Sequence, residues 1–236
     1  MIDDKPTFRF KQFALSDRRC GMKIGTDGVL LGAWATLPVG KTHIADIGAG
    51  SGLIALMMAQ RYPSARITAV EIDAGAAAVA ADKAASSPFA AQLDVVCRPF
   101  EDFNAETDMI VSNPPFFATG ERAPAQARAM ARHTGSLSPE ILVDRAASLL
   151  CPGGTLAMIT PADNAGDLIF RATMARLYPR RICNVISREG KDPSRILWQF
   201  STDDGPCRQE VLTIRRADNS YTDDYIALTK DFYLNL

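Results

Sequence analysis

The chain has 236 residues, enough for one large α/β domain, and 47% hydrophobic with 22% charged is the composition of an ordinary folded protein. Its apolar runs fall far short of the ~20 residues that cross a bilayer, and Asp3, Asp4 and Lys5 stand where a leader would be apolar; a soluble cytoplasmic protein without membrane contact is expected. Cys20, Cys97, Cys151, Cys183 and Cys207 are odd in number and form no Cys-x-x-Cys pair, which argues against a disulfide framework and a zinc site, while a net charge of −1 supplies no global field towards nucleic acid.

Residues 8–34 come first, rich in Arg, Lys, Gly and Phe, and are too short to bury a core of their own, so they read as an N-terminal cap. Strand-like and helix-like runs then alternate: strand 43–47, helix 53–61, strand 66–71 and an alanine-rich helix 74–85 stopped by Ser86-Ser87-Pro88. Strands follow at 93–97 and 109–112, the second ended by two prolines. A helix over 139–150 breaks at Cys151-Pro152-Gly153-Gly154, and strand 155–160 and helix 167–177 come next. Runs 182–186, 196–200 and 211–214 close the chain as strands, with Asp203-Asp204-Gly205-Pro206 turning between the last two. The alternation predicts a Rossmann-like, doubly wound, mostly parallel sheet. Because helices are missing between the final runs, these are expected to pair as an antiparallel, hairpin-like edge.

Ligands of open α/β sheets bind beyond the carboxyl ends of the strands, and Asp46-Ile47-Gly48-Ala49-Gly50-Ser51-Gly52 lies at the first such turn. Gly48, Gly50 and Gly52 let the backbone approach a ligand, with the amides of the next helix facing it. The spacing Gly-x-Gly-x-Gly departs from the Gly-x-Gly-x-x-Gly of dinucleotide binders and favours a nucleoside cofactor without a pyrophosphate. Glu71 ends the second strand, where a carboxylate can accept hydrogen bonds from both ribose hydroxyls, and Ile72 follows it as a further cofactor-site candidate. Asp73 suits the cap of the alanine-rich helix. Asp46 has two readings: a contact to the cofactor's amino group, direct or through water, or a bond to backbone amides of the turn.

Asn113-Pro114-Pro115-Phe116 ends the fourth strand and carries the sharper chemistry. The exocyclic nitrogen of a base such as adenine is a poor nucleophile, because its lone pair is delocalised into the ring. The Asn113 side-chain oxygen can accept one of its N–H groups and the Pro114 carbonyl the other, turning the lone pair towards an electrophilic carbon. Prolines fix φ near −65°, so the acceptors stand ready beforehand, and Phe116 can stack on the base. Such a segment also suits a plain turn, for which the aromatic pair Phe116-Phe117 has no use. The two histidines, His43 and His133, fit surface or capping roles, and no Ser/His/Asp set, metal cluster or lysine-bearing phosphate loop offers a basis for hydrolysis, metal chemistry or phosphoryl transfer.

With these residues in hand, nearly the whole sequence resembles the bacterial valine-tRNA adenine-N6 methyltransferases, which modify the adenine beside the anticodon. The likeness runs from Phe8-Arg9-Phe10-Lys11-Gln12-Phe13 through Met22-Lys23-Ile24-Gly25-Thr26-Asp27-Gly28-Val29-Leu30-Leu31-Gly32-Ala33-Trp34 to Tyr221-Thr222-Asp223-Asp224-Tyr225 and Leu228-Thr229. The glycine turn is common to class I methyltransferases, and Asn-Pro-Pro-Phe/Tyr to several amino methyltransferases. The resemblance implies S-adenosylmethionine as cofactor and a class I methyltransferase fold with a seven-stranded sheet, residues 1–36 being a cap that contributes to the site and 37–236 the methyltransferase domain. It places Lys23, Thr26 and Asp27 near the methionine end of the cofactor, with Asp46, Gly48 and Glu71 completing that site and Asn113 to Phe116 on the target base. The family's acidic residue for the cofactor adenine is missing from Cys97-Arg98-Pro99-Phe100-Glu101-Asp102; either Glu101 or Asp102 substitutes, or Phe100 and backbone groups hold the ring.

Two stretches are candidate tRNA contacts: 5–23, with Lys5, Arg9, Lys11, Arg18, Arg19 and Lys23, and 171–195, with Arg171, Arg176, Arg180, Arg181, Arg188, Lys191 and Arg195. Each reads equally as a solvated helix face. A monomer acting on N6 of a tRNA adenine is the expected protein. The same clamp would serve a guanine 2-amino group in rRNA or a glutamine amide, and outside that class stand a nucleotide-binding module and a nicotinamide-dependent dehydrogenase.

Overall fold

The structure, a computed structural model, describes residues 8–15, 24–115, 137–163 and 165–235. A two-stranded hairpin, β1 (Phe8–Arg9) and β2 (Ala14–Leu15), precedes helix α1 (Thr26–Trp34). The body then alternates β3 (His43–Ile47), α2 (Leu53–Arg61), β4 (Arg66–Glu71), α3 (Ala74–Ser86), β5 (Leu93–Cys97) and β6 (Thr107–Ser112). After residue 137 come α4 (Pro139–Leu149), β7 (Leu150–Pro161), α5 (Ala165–Met174), β8 (Tyr178–Arg188), β9 (Pro193–Ser201), β10 (Arg208–Arg215) and α6 (Asp223–Thr229).

The main sheet runs β10-β8-β9-β7-β6-β3-β4-β5, and β3 to β7 are parallel, so their carboxyl ends share one rim. Helices cover both faces. Met109 and Val111 of β6 face the core shared with α1, α2 and α6, while Ile110 between them faces the core shared with α4 and α5. That period-two alternation, buried on both sides, is what a central parallel strand requires.

The expected edge is corrected in two respects. The sheet has eight strands rather than seven, and the last two do not pair with each other. β9 is antiparallel to both β7 and β8, which occupies both of its hydrogen-bonding edges, so β10 adds outside β8 and parallel to it. The Asp203-to-Pro206 turn therefore carries the chain past β8 instead of closing a hairpin. Buried Leu212 and the half-buried carboxylate of Glu210, which accepts from Trp34 Nε1 at 2.8 Å, anchor β10 to α1.

Helix α1 is buried from Gly28 to Trp34, within the same core as α2. Its glycines permit that approach: a Cβ at Gly28 would stand 2.9 Å from Leu53 Cδ2, and one at Gly32 would stand 2.6 Å from Met57 Sδ and 3.1 Å from Met57 Cβ. Gly32→Ala is thus expected to destabilise the fold by about 1–3 kcal/mol through overpacking against fully buried Met57, measurable as a lowered midpoint in urea; an unchanged midpoint would contradict this packing. At the other end of the chain, Phe10 stacks on Phe13 and Tyr233, and Lys11 N donates to Phe232 O at 2.8 Å, so the first hairpin is held by the C-terminal segment.

Candidate active site

The carboxyl ends of β3, β4 and β6 meet at the rim of the sheet. Gly48 and Gly50 turn the chain there with φ of +69° and +56°, a region that costs a side-chain-bearing residue about 1–2 kcal/mol. Gly48 is exposed, and no atom stands within 4 Å of where a Cβ on Gly50 would be. The N–H groups of Gly48 and Ala49 donate to Val70 O at 2.9 and 3.1 Å, which lashes the turn to β4. Glu71, 8% exposed, completes the lashing: Oε2 accepts from Gly50 N at 2.7 Å and Oε1 from Asp73 N at 2.8 Å. Asp73 caps α3 through Ala76 N, as its position predicted. Beside Glu71, the Ile72 side chain is half exposed, an apolar surface at the same rim.

Asp46 answers its two readings in part. Its Oδ2 accepts from Ala55 N at 2.9 Å, satisfying one of the open amides that start α2, while Oδ1 is buried with no hydrogen-bond partner among the described residues. Burial pushes the carboxyl up to about 7; the Ala55 amide opposes that shift and the Glu71 carboxylate adds to it. A folded pKa raised from 3.8 means that the native protein keeps a proton the unfolded chain has lost. Its contribution to stability is full below about pH 4 and is lost as the pH rises through about 7. Asp46→Asn should flatten that part of the profile, which thermal melts between pH 4 and 8 would detect; parallel wild-type and variant profiles would refute the assignment.

The Asn-Pro-Pro segment lies beside the glycine turn. β3 and β6 are adjacent with Asp46 opposite Val111, and fully buried Ser112 donates its hydroxyl to Ile47 O at 2.8 Å. Asn113 and Pro115 are half-buried and Pro114 is buried. Leu137 returns to the same place, since a Cβ on Gly48 would meet its Cδ2 at 3.1 Å. Phe116, Phe117, His133 and Lys23 lie outside the described residues.

Thr26 is exposed at the start of α1, and the next residue, Asp27, accepts from Arg195 Nε at 2.8 Å. The contact of Gly28 with Leu53, the residue after Gly52, brings this end of α1 to the glycine turn. Sequence reasoning counted Arg195 only within a basic stretch; its pairing with Asp27, 168 residues earlier, leaves no local signal. Phe100 is 6% exposed and its ring belongs to the core with Val70 and Phe103, so it is packed as an interior side chain, while Glu101 and Asp102 are exposed.

The basic stretches divide. Arg181 pairs with Glu210 through two 3.1 Å bonds and lies over the Trp34 ring at 4.2 Å, at the end of the sheet remote from the glycine turn. Arg171 pairs with Asp144 on α4, and Arg180 donates to the carbonyls of Asp203 and Asp204. Arg188, Lys191 and Arg195 stand at the glycine-turn end, so 171–195 is not one continuous basic surface. Of 5–23, Arg9 is exposed, Lys11 Nζ donates to Lys230 O at 2.6 Å, and Lys5, Arg18, Arg19 and Lys23 lie outside the described residues.

This strand order, with a glycine turn after the first parallel strand and an acidic residue ending the second, defines a class I methyltransferase, the enzyme class whose methyl donor is S-adenosylmethionine. The family model described as methyltransferase small domain matches residues 25–174. A predicted O-methyltransferase of Agrobacterium tumefaciens has the same fold, with a TM-score of 0.66 at 19% identity over 89% of this chain and 100% of its own. Full-length likeness is closer still to a tRNA1(Val) (adenine(37)-N6)-methyltransferase of Phocaeicola vulgatus, 44% identical over 98% of this chain and 99% of that protein. One of the same name from Aeromonas hydrophila is 42% identical over 97% and 98%. The chain belongs to the tRNA1(Val) (adenine(37)-N6)-methyltransferase family.

The site residues fit the family's donor. A buried acceptor at Asp46 Oδ1 without a partner among the described residues, an open glycine turn and the apolar Ile72 side chain lie along one rim, together with Glu71, whose carboxylate oxygens each keep lone-pair capacity beyond the backbone amide they accept. Among the described residues no group of His, Cys, Asp and Glu is placed to hold a metal, and no helix is long and apolar enough to cross a membrane.

Proposed function

We propose that the protein transfers a methyl group from S-adenosylmethionine to N6 of adenine 37 in valine tRNA. The observation that carries this reading is the adjacency of the two motifs: the Ser112–Ile47 bond holds Asn113 beside the glycine turn, so one rim can serve donor and acceptor together. When bound, S-adenosylmethionine supplies a methyl carbon made electrophilic by its sulfonium. Glu71 accepts from the ribose hydroxyls, Ile72 packs against the cofactor's nucleoside, and Asp46 Oδ1 meets the cofactor's amino group, directly or through water.

Asn113 Oδ1 and the Pro114 carbonyl each accept one N–H of the target amine, orienting its lone pair; Pro114 and Pro115 keep those acceptors from relaxing. Phe116 stacks on the base, worth about 1–3 kcal/mol in single-strand recognition. The chain supplies position rather than a base of its own, and the proton is lost to solvent after transfer. Residues 1–36 complete the cofactor side through Lys23, Thr26 and Asp27, while Arg188 and Lys191, exposed at the same end of the sheet, meet backbone phosphates. Deleting the gene tests the reading: valine tRNA should lose N6-methyladenosine by nucleoside mass spectrometry, and its retention would refute it.

A further inference from the structure

Strand β5 is one edge of the main sheet, and among the described residues its only strand partner is β4. Backbone groups alternate sides along a strand. Arg98 N donates to Glu71 O at 2.9 Å, so Asp94 and Val96 also turn their backbone groups to β4, and those of Val95 and Cys97 point outward. Side chains alternate between faces in the same way, which puts Asp94, Val96 and Arg98 on one face. The chain between β5 and β6 holds only a short 3-10 turn, Phe100–Asp102, and leaves on that face an open recess lined by Thr68, Asp94, Val96, Arg98, Phe103 and Asn104. Asp94 and Arg98 are exposed there, and neither side chain forms a hydrogen bond or ion pair among the described residues.

Charges on an edge strand ordinarily keep it from pairing. Here they differ in sign and stand two residues to either side of Val96, so an antiparallel copy of the strand, turned about Val96, brings each to its opposite. We propose that two copies of the protein associate through β5, paired antiparallel about a two-fold axis at Val96, in place of the monomer expected from the sequence. Asp94 of each copy then stands opposite Arg98 of the other, and Val96 opposite Val96. Because the backbone groups of Asp94 and Val96 face β4, these are the non-hydrogen-bonded positions, where opposing side chains come closest. Val95 and Cys97 exchange their outward N–H and C=O groups with Cys97 and Val95 of the other copy. Shifting the register by two residues sets a charge against Val96, so the ion pairs fix the alignment. Strand direction reverses at the axis, which points the two glycine-turn rims away from each other and leaves both cofactor sites open. A contact along a strand of 5 residues is small, so the association is weak and concentration-dependent.

Sedimentation velocity on the full-length protein, from about 1 to 100 µM, should show the mass rising from the 25.5 kDa of one chain towards twice that value. Asp94→Arg sets like charges opposite each other and should weaken association about 10-fold or more, and adding Arg98→Asp should restore it. Cross-linking gives a reading that does not depend on the charges. In a Cys97→Ser background, Val96→Cys should form an interchain disulfide under copper phenanthroline. Val211→Cys, exposed on β10 at the other edge of the sheet, should add nothing to the background. A protein that stays monomeric at every concentration would overturn the proposal. So would a dimer indifferent to Asp94→Arg, a charge-swapped double variant that stays apart, or cross-linking of Val211→Cys as efficient as that of Val96→Cys.

Discussion

Asn113→Ala is expected to lower kcat by about 10²- to 10³-fold, the usual scale for removing one preorganised hydrogen-bonding group that acts on the reacting centre, while the Kd for S-adenosylmethionine stays unchanged. The separation follows from where the residue sits. Asn113 follows Ser112, whose hydroxyl is bonded to Ile47 O, whereas the glycine turn is lashed to β4 through Val70 and Glu71. Rapid-quench kinetics at saturating tRNA, with calorimetry of the cofactor, would measure both quantities. A variant with wild-type kcat would remove Asn113 from the mechanism, and one that loses cofactor affinity in step with rate would move it to the donor side.

Glu71→Ala should behave in the opposite way, raising the Kd for S-adenosylmethionine by about 10²-fold, as expected for two hydrogen bonds to a charged acceptor, with a smaller effect on kcat once the cofactor saturates. It should also cost about 1–3 kcal/mol of stability, because the Gly50 and Asp73 amides lose their acceptor. Glu71→Gln keeps one acceptor but turns an amide N–H towards a backbone donor, so it should recover only part of each loss. Calorimetry and urea denaturation report the two effects separately. Undiminished affinity in Glu71→Ala would show that the carboxylate braces the turn and does not touch the ribose.

The parts of this fold that were legible in the sequence are those with local signals. Alternating apolar runs located β3 to β7 and the helices between them, Ser86-Ser87-Pro88 ended α3, and Asp73 announced its cap. Helix α1 was not legible, because Val29-Leu30-Leu31-Gly32-Ala33-Trp34 is apolar on every side and contains a glycine; only its burial against α2 explains a helix with no amphipathic period. The place of β10 depends on which strand edges are already taken, and nothing near Asp203-Asp204-Gly205-Pro206 encodes that. In the site, the glycine turn and Asn113 could be read from residue type and spacing. The division of Asp46 between a helix amide and an unpartnered oxygen could not, since both outcomes use the same carboxylate. Arg181 and Arg195 look alike in sequence, yet one stacks on Trp34 at the far end of the sheet and the other reaches Asp27 at the rim, because β8 and β9 run in opposite directions.

The central claim is that one rim presents a sulfonium methyl group to an exocyclic adenine amine held by Asn113 and Pro114. Its most direct measurement is label transfer from methyl-tritiated S-adenosylmethionine to unmodified valine tRNA and to the same tRNA carrying purine, which lacks the amine, at position 37. The account predicts one label per molecule, recovered as N6-methyladenosine, in the first tRNA and none in the second. Label in the purine-bearing tRNA, or recovery as a methylated guanosine, would contradict it.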